Sequence, residues 1–105
     1  LANDNGYDRS FAIQLEDRLQ RDDVVIALSV SGNSPNVVEA LRHARDTGAR
    51  IIACTGFEDA AIREFADIDL HLDLARGEYG PAEDVFMILD HLVYSCLRFR
   101  RFGRL

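Results

Sequence analysis

The sequence predicts an α/β fold with a doubly wound parallel sheet, and three observations indicate this class. Short apolar runs at residues 24–28, 50–55 and 68–72 are typical of buried strands. Segments with the residue spacing of helices separate these runs at residues 35–47 and 60–65. Strands that alternate with helices require right-handed crossovers, so we expect a parallel sheet with helices on both of its faces.

Length and composition bound the number of domains. A chain of 105 residues with 48% hydrophobic content can bury one small core, so residues 1–105 are interpreted as a single domain. Open parallel sheets usually have about five strands, and only three are predicted here. We therefore expect the elements that open such a domain to be missing from this sequence.

The first predicted elements are a helix and a strand. Residues 7–21 place apolar side chains such as Phe11 and Leu15 among charged ones, which is typical of an amphipathic helix. A polar turn at residues 20–23 leads to the first strand, five consecutive apolar residues at 24–28.

The next helix, residues 35–47, has clear signals at both ends. Ser34 is a natural N-cap, and Pro35 stands at the first helical position, where a missing N–H is tolerated. Gly48 follows the last helical residue, where a left-handed C-cap belongs.

The C-terminal helix is predicted from Pro81 to about Phe99, after a glycine-containing loop at residues 75–80. Its apolar positions trace one broad face, made of Ala82, Val85, Ile88, Leu89, Leu92, Val93, Cys96 and Leu97. This face is wider than one small sheet needs, so we expect part of it to pack against another subunit. The predicted assembly is a homo-oligomer.

A polar loop joins the first strand to helix 35–47, and we call residues 29–34 the anion loop. The hydroxyls of Ser29, Ser31 and Ser34, the free N–H groups of the helix start and the helix dipole together favour a phosphate. Gly32 lets the backbone approach a ligand without a Cβ in the way. Ordinary turns before helices use the same residue types, so spacing alone leaves a phosphate site and a plain turn both open.

Charge and composition exclude several classes of protein. All twelve basic residues are Arg, so a P-loop lysine, a Schiff-base aldolase and a pyridoxal-phosphate enzyme are excluded, and we expect no nucleotide cofactor. The net charge of −6 disfavours nucleic acid and anionic membranes as partners, and neither is predicted. The arginines at positions 98–104 are interpreted as complements to a helix dipole.

The two cysteines point to a reducing compartment. Cys54 and Cys96 lie in apolar runs without the spacing of a zinc site, so both are expected to be buried free thiols. No apolar stretch reaches the roughly 18 residues of a membrane span, and no secretory signal is present. The predicted location is the cytoplasm.

Glu83 and His91 are the candidate acid–base residues. They lie eight residues apart on the C-terminal helix, so they return to roughly the same face two turns on. Such a pair is typical of a general acid and base, of half a metal site, or of an ordinary solvated helix surface. His71, between Leu70 and Leu72, is expected to be a half-buried structural residue.

The anion loop carries a recognisable motif. The sequence Ser29-Val30-Ser31-Gly32-Asn33-Ser34-Pro35-Asn36 resembles the S-[TS]-S-G-x-S-x-[ND] signature of SIS (sugar isomerase) domains. With Asn3-Asp4 upstream and Glu83 to His91 downstream, nearly the whole chain is similar to phosphoheptose (sedoheptulose 7-phosphate) isomerases. The resemblance implies a flavodoxin-like SIS domain that binds a sugar phosphate. It also implies that the protein assembles as a dimer or tetramer.

The resemblance also implies roles for individual residues. Four loop residues match positions that contact phosphate or sugar in that family: Ser29, Val30, Ser31 and Ser34. Asn3 and Asp4 match a pair that touches the substrate, and Glu83 and His91 match a Gln and a His that line the site and can hold zinc. Val30 replaces a hydroxyl residue, and Glu83 adds a negative charge that favours a metal.

Two functions are predicted from different classes. The first is a ketose–aldose phosphosugar isomerase in which His91 moves a proton between adjacent carbons through an enediol, with a possible zinc ion held by Glu83 and His91. The second is a non-catalytic SIS module that senses a sugar phosphate or mediates assembly in a regulator. The family's other catalytic Glu and His lie on a more N-terminal helix with no counterpart here, so the chain alone is expected to be inactive.

Overall fold

The computed structural model describes residues 6–103 of the chain. Three α-helices, three strands and two 3₁₀ segments follow one another within these residues. In chain order they are a 3₁₀ turn (Tyr7–Arg9), α1 (Ser10–Glu16), β1 (Val24–Leu28), α2 (Pro35–Thr47), β2 (Arg50–Thr55), a 3₁₀ segment (Ala61–Phe65), β3 (Ile68–His71) and α3 (Tyr79–Phe102).

The three strands form one parallel sheet, as the sequence predicted, and their order is β1-β2-β3. Val24 pairs with Arg50 at one end of β1, and Leu28 pairs with Cys54 at the other. In the second ladder Thr55 lies opposite His71. All three strands therefore end at the same edge of the sheet, where ligands of open α/β sheets bind.

The hydrophobic core lies on one face of this sheet, beneath α2 and the 3₁₀ segment. Alternate strand residues point toward it because successive side chains in a strand face opposite ways. The buried members of this core are Ala27, Leu41, Ala44, Ala49, Ile51, Ala53 and Ile62. Leu41 and Ile51 are each 1% exposed, so they contribute much of the apolar burial that stabilises the domain.

The second face of the sheet is covered by α3, but only in part. Ile26 and Leu28 point away from the core and are 43% and 47% exposed. Leu89 and Val93 of α3 line a cavity of about 150 Å³ together with these two side chains. Helices therefore lie on both faces, and a large apolar area on the second face stays exposed among the described residues.

α3 packs closely only at its start. Ala82 is fully buried, and a Cβ built on Gly56 would lie 3.6 Å from the Ala82 Cβ. The helix begins two residues before Pro81 and ends three residues after Phe99, with Gly103 in the left-handed conformation at its C-cap. No helix within residues 6–103 combines the length and the low charge that crossing a bilayer requires.

The first helix is shorter than predicted. α1 ends at Glu16, and a hydrogen-bonded turn follows in which the Gln20 N–H donates to Asp23 Oδ2 at 2.8 Å. The Asp23 carbonyl accepts from the Arg50 N–H at 2.7 Å, and Asp22 has φ 70°. Residues 20–23 thus form a turn whose last two residues bond to Gly48 and Arg50 around the start of β2.

One cysteine prediction is confirmed and the other is wrong. Cys54 is 1% exposed in β2, and burial raises the pKa of its thiol above the ordinary value, with a smaller contribution from the Asp69 carboxylate. Cys96 is exposed, because the second half of α3 has little of the described chain packed against it.

Candidate functional site

The anion loop lies between the end of β1 and the start of α2, at the carboxyl edge of the sheet. Two of its serines fold back on the loop itself. The Gly32 N–H donates to Ser29 Oγ at 3.1 Å, and the Asn33 N–H donates to Ser31 Oγ at 3.3 Å. Because each hydroxyl oxygen accepts these bonds, each O–H proton is left to donate to a ligand.

Gly32 is required by its surroundings. Its φ is +68°, a left-handed conformation that glycine adopts without a steric penalty. A Cβ at this position would lie 2.3 Å from the Ala60 Cβ and 3.2 Å from Thr55 Cγ2. Gly32 therefore lacks a side chain because its backbone packs closely against the loop after β2. A close approach to a ligand is a second reason for glycine at this position.

Ser34 occupies the N-cap position of α2, as predicted, with extended backbone angles. Within the described residues its side chain makes no capping hydrogen bond. The Ser34 carbonyl instead accepts from the Val37 and Val38 N–H groups, each at 3.0 Å, and the Val37 N–H also donates to Asn36 Oδ1. The helix start thus offers fewer free N–H groups than expected, whereas the Ser34 hydroxyl is left for a ligand.

Val30 turns its side chain away from the serines. Its Cγ1 lies 3.0 Å from a Cβ built on Gly56, the same position that approaches Ala82 of α3. Its carbonyl accepts from the Gly56 and Phe57 N–H groups at 2.9 and 3.1 Å. An apolar side chain at this point therefore packs between the loops and the start of α3.

Asn33 is a loop residue that sequence reasoning missed. Its Nδ2 donates to the carbonyls of Asp59 at 2.9 Å and Ser31 at 3.1 Å. Its Oδ1 accepts from the Ala61 N–H at 2.9 Å. The only sequence signal for this role is the position of Asn33 inside the motif. Asparagine is common in turns, and two of its three partners, Asp59 and Ala61, lie more than 25 residues away.

Glu83 and His91 are both exposed on α3. Glu83 follows the buried Ala82, whose Cβ is the α3 atom that approaches Gly56. His91 lies about 12 Å farther along the helix axis at the usual rise per residue. His91 directly follows Leu89 and Asp90, which line the small cavity beside Leu28 at the end of β1.

The described residues do not fit a complete zinc site. Zinc takes three or four protein ligands, and residues 6–103 contain no group of three His, Cys, Asp or Glu side chains that could hold a metal ion. Glu83 and His91 would supply two ligands at most. Asn3 and Asp4, the predicted substrate-contacting pair, lie outside the described residues.

His71 lies at the same edge, half-buried as predicted. Its Nδ1 is 2.7 Å from Oγ1 of Thr55, a side chain with no exposed surface. Its Nε2 is 3.9 Å from an Asp73 carboxylate oxygen. The methyl group of Thr55 lies 3.2 Å from the Cβ position of Gly32, so the Thr55–His71 pair lies directly behind the anion loop.

A second concave surface lies beside the loop, at the ends of β2 and β3. It encloses about 550 Å³ and is lined by Phe57, Glu58, Asp59, Asp73, Leu74, Ala75 and Arg76. Arg76 forms an ion pair with the Asp59 carboxylate, and both side chains are largely exposed. Tyr79 packs edge-on against Phe57, with ring centroids 5.1 Å apart.

Comparison with curated proteins finds phosphoheptose isomerases. Those of Citrifermentans bemidjiense and Geobacter sulfurreducens are each 44% identical to the chain over 93 residues, which is 86% of this chain. The match covers 48% and 49% of those proteins. The chain thus spans about half the length of the curated relatives it matches.

Solved structures give the same result. Phosphoheptose isomerase GmhA from Neisseria gonorrhoeae superimposes with a TM-score of 0.82 at 30% identity, over 90% of this chain and 52% of that one. A phosphoheptose isomerase from Francisella tularensis gives 0.76 at 28% identity, over 87% and 49%. The α/β fold with a parallel sheet is therefore shared with both.

A family profile agrees with these likenesses and with the motif in the anion loop. The profile described as SIS domain matches residues 1–56, which include β1, the anion loop, α2 and β2. Strand order, loop position and sequence all lead to one assignment: the chain belongs to the SIS domain family.

Proposed function

We propose that this chain forms the phosphosugar-binding part of a ketose–aldose isomerase, with a sugar phosphate as substrate. The observation that carries the proposal is the arrangement of the anion loop. Ser29 and Ser31 accept hydrogen bonds from the loop's own amides and keep their O–H protons for a ligand, and the Ser34 hydroxyl is not used for capping. Three hydroxyl donors beside a helix N-terminus suit a phosphate group.

The charge around the loop favours this ligand only moderately. The loop contains no basic residue, so the phosphate would be held by hydrogen bonds and by the positive end of α2. If Glu83 lines the site, as the resemblance implies, its negative charge opposes a dianion. We infer that a cation, or a substrate hydroxyl donating to Glu83, offsets this repulsion.

His91 is the proposed proton carrier. In an isomerisation, the imidazole takes the proton from C1 of the ketose, and that electron pair forms the C1–C2 double bond while the C2 oxygen gains a proton. The proton then returns to C2 as the O1 proton leaves, which gives the aldose with no net oxidation. A histidine suits this step because its ordinary pKa lies near neutral pH.

A zinc ion held by Glu83 and His91 is part of the proposal. Its other ligands would come from residues outside the described part of the chain or from a second subunit. Metal analysis of purified protein tests this, with Glu83→Ala and His91→Ala as variants and Asp84→Ala as the control. Equal zinc content in all four proteins would exclude these ligands.

The proposed assembly is a dimer or tetramer that acts in the cytoplasm. α3 exposes apolar side chains along most of its length, among them Ile88, Leu92 and Leu97 at 57–61% exposure. Exposed apolar area of this extent is typical of a subunit interface. Sugar phosphates and free thiols are both compatible with a reducing cytoplasm.

The second candidate is a non-catalytic SIS module that senses a sugar phosphate in a regulator. Val30 supports it, because this side chain packs toward α3 at a position where the SIS signature has a hydroxyl residue.

Hydrogen exchange separates the two functions. The longest natural form of the protein is incubated in deuterated water with several sugar phosphates, and NMR follows the exchangeable carbon-bound proton, which is at C1 of a ketose and at C2 of an aldose. An isomerase exchanges this proton with solvent, whereas a sensor binds the ligand and leaves the proton in place. Absence of exchange with every ligand that binds would exclude the isomerase.

A further inference from the structure

We propose that Asn33 is a positioning residue that holds the anion loop in its binding shape by anchoring it to the loop after β2. The inference rests on the proposed phosphate-binding role of the anion loop. The anchor consists of two hydrogen bonds, from Asn33 Nδ2 to the Asp59 carbonyl and from the Ala61 N–H to Asn33 Oδ1, each 2.9 Å long.

The side chain of Asn33 is the only one in the loop that makes a hydrogen bond outside it, among the described residues. The hydroxyls of Ser29 and Ser31 bond within the loop, to the Gly32 and Asn33 amides. Asn33 also donates to the Ser31 carbonyl at 3.1 Å, so one amide group joins the loop's own backbone to a segment 26 to 28 residues away.

The chemistry of the anchor needs an asparagine. Two amide protons meet two carbonyl oxygens, and the amide oxygen meets one N–H, so each polar atom of the side chain is paired with its complement. An aspartate of the same shape would place carboxylate lone pairs against the Ser31 and Asp59 carbonyls. A serine has one proton to donate and cannot make both of these bonds.

The neighbouring contacts make the anchored geometry specific. The Ile62 N–H donates to the Gly32 carbonyl at 3.0 Å, and Ala60 fills the space where a Gly32 side chain would stand. The anion loop thus packs against the segment after β2, and the hydrogen bonds of Asn33 hold the loop in that position. Since Asn33 lies between Ser31 and Ser34, this fixes the spacing of the two hydroxyls.

An ordered loop binds an anion better than a mobile one because less conformational entropy is lost on binding. The anchor is exposed to solvent, so its hydrogen bonds contribute little to global stability. The effect of Asn33 should therefore be seen in anion affinity more than in unfolding. This separates a positioning role from a structural one.

The test compares Asn33→Ala and Asn33→Asp with a control, Arg76→Gln, which breaks the Asp59–Arg76 ion pair and leaves the Asp59 carbonyl in place. Inorganic sulfate is titrated into the ¹⁵N-labelled chain, and NMR follows the amides of residues 29–38. We expect both Asn33 variants to raise the sulfate Kd at least about tenfold, and the control to change it less than about twofold. Asn33 variants that bind like wild type would overturn the inference.

A second measurement separates this inference from the proposed function. Amide hydrogen exchange without any anion reports the anchor directly, because the Ala61 N–H is bonded to the Asn33 side chain. We expect Asn33→Ala to speed exchange at Ala61 and Gly32 about tenfold or more, with no change in Arg76→Gln. If wild type binds no sulfate, the proposed function fails, and amide exchange alone then tests the anchor. Unchanged exchange at Ala61 in Asn33→Ala would refute the anchor.

Discussion

Gly32 and Ala60 approach so closely that a Cβ built on Gly32 would lie 2.3 Å from the Ala60 Cβ. Backbone conformation adds a second penalty, because Gly32 has φ +68°. The two residues therefore set the distance between the anion loop and the segment after β2, and no residue with a Cβ fits at position 32 without a shift.

Gly32→Ala should destabilise the fold by about 2–4 kcal/mol, from left-handed strain plus steric overlap. Gly77→Ala is the matched control, since Gly77 has φ +97° with no atom within 4 Å of its Cβ position, and it should lose only about 1–2 kcal/mol from strain. Urea unfolding measures both. Equal losses would show that Ala60 imposes no constraint.

Replacing two serines tests the phosphate site itself. Ser31→Ala together with Ser34→Ala should weaken sugar-phosphate binding by about 1–3 kcal/mol, because two charge-assisted hydrogen bonds are lost. Ser95→Ala, on α3 and remote from the loop, should bind like wild type. Titration calorimetry measures the affinities, and an unchanged affinity in the double variant would refute the loop assignment.

His91→Asn should lower turnover about a hundredfold or more in the longest natural form, the usual effect of removing a general acid or base. Sugar-phosphate binding should be retained, since the anion loop is left intact. His43→Asn is the control, because His43 lies on α2 beside Thr47 and takes no part in the proposed reaction. Normal C2 proton exchange in a folded His91→Asn protein would remove His91 from the mechanism.

Leu92→Asp should dissociate the oligomer, because it places a charge on the exposed apolar face of α3. Asp84→Asn, on the polar part of the same helix, should leave the assembly unchanged. Sedimentation velocity at tens of micromolar, a rough working concentration for interfaces of standard size, measures the difference. A wild-type protein that sediments as a monomer would contradict the proposed assembly.

The two thiols should react at different rates in the Leu92→Asp variant, in which no second copy covers α3. Cys96 is exposed and should react with a thiol reagent at once, whereas Cys54 should react only after unfolding. Burial raises the pKa of Cys54, so the unfolded chain ionises first as pH rises and stability should fall at alkaline pH. Cys54→Ala should remove that fall; a second fast thiol would contradict the burial.

The sequence predicted best where local signals are strong. α2 begins at Pro35 and ends at Thr47, as predicted. Ser34 and Pro35 favour the start of a helix, and Gly48 favours its end, through their own backbone preferences. The bounds of β1 and β2 were also predicted, since uninterrupted apolar runs leave little choice.

The errors arise where distant contacts decide. The turn that follows α1 ends in a hydrogen bond from the Arg50 N–H to the Asp23 carbonyl, and no local pattern reveals that partner. Cys96 lies in an apolar stretch of sequence, which is typical of a buried thiol. It is exposed because little of the described chain packs against it. The anchor formed by Asn33 was missed for the same reason, because its partners follow β2.

The strand order also has a consequence for how the chain folds. Each strand pairs with the next one along the chain: Val24 with Arg50, 26 residues later, and Ile52 with Ile68, 16 residues later. Loops of this length close quickly and at a small entropic cost. The sheet can thus assemble in the order in which the strands leave the ribosome, β1 with β2 first and β3 afterwards, without waiting for distant segments to be synthesised.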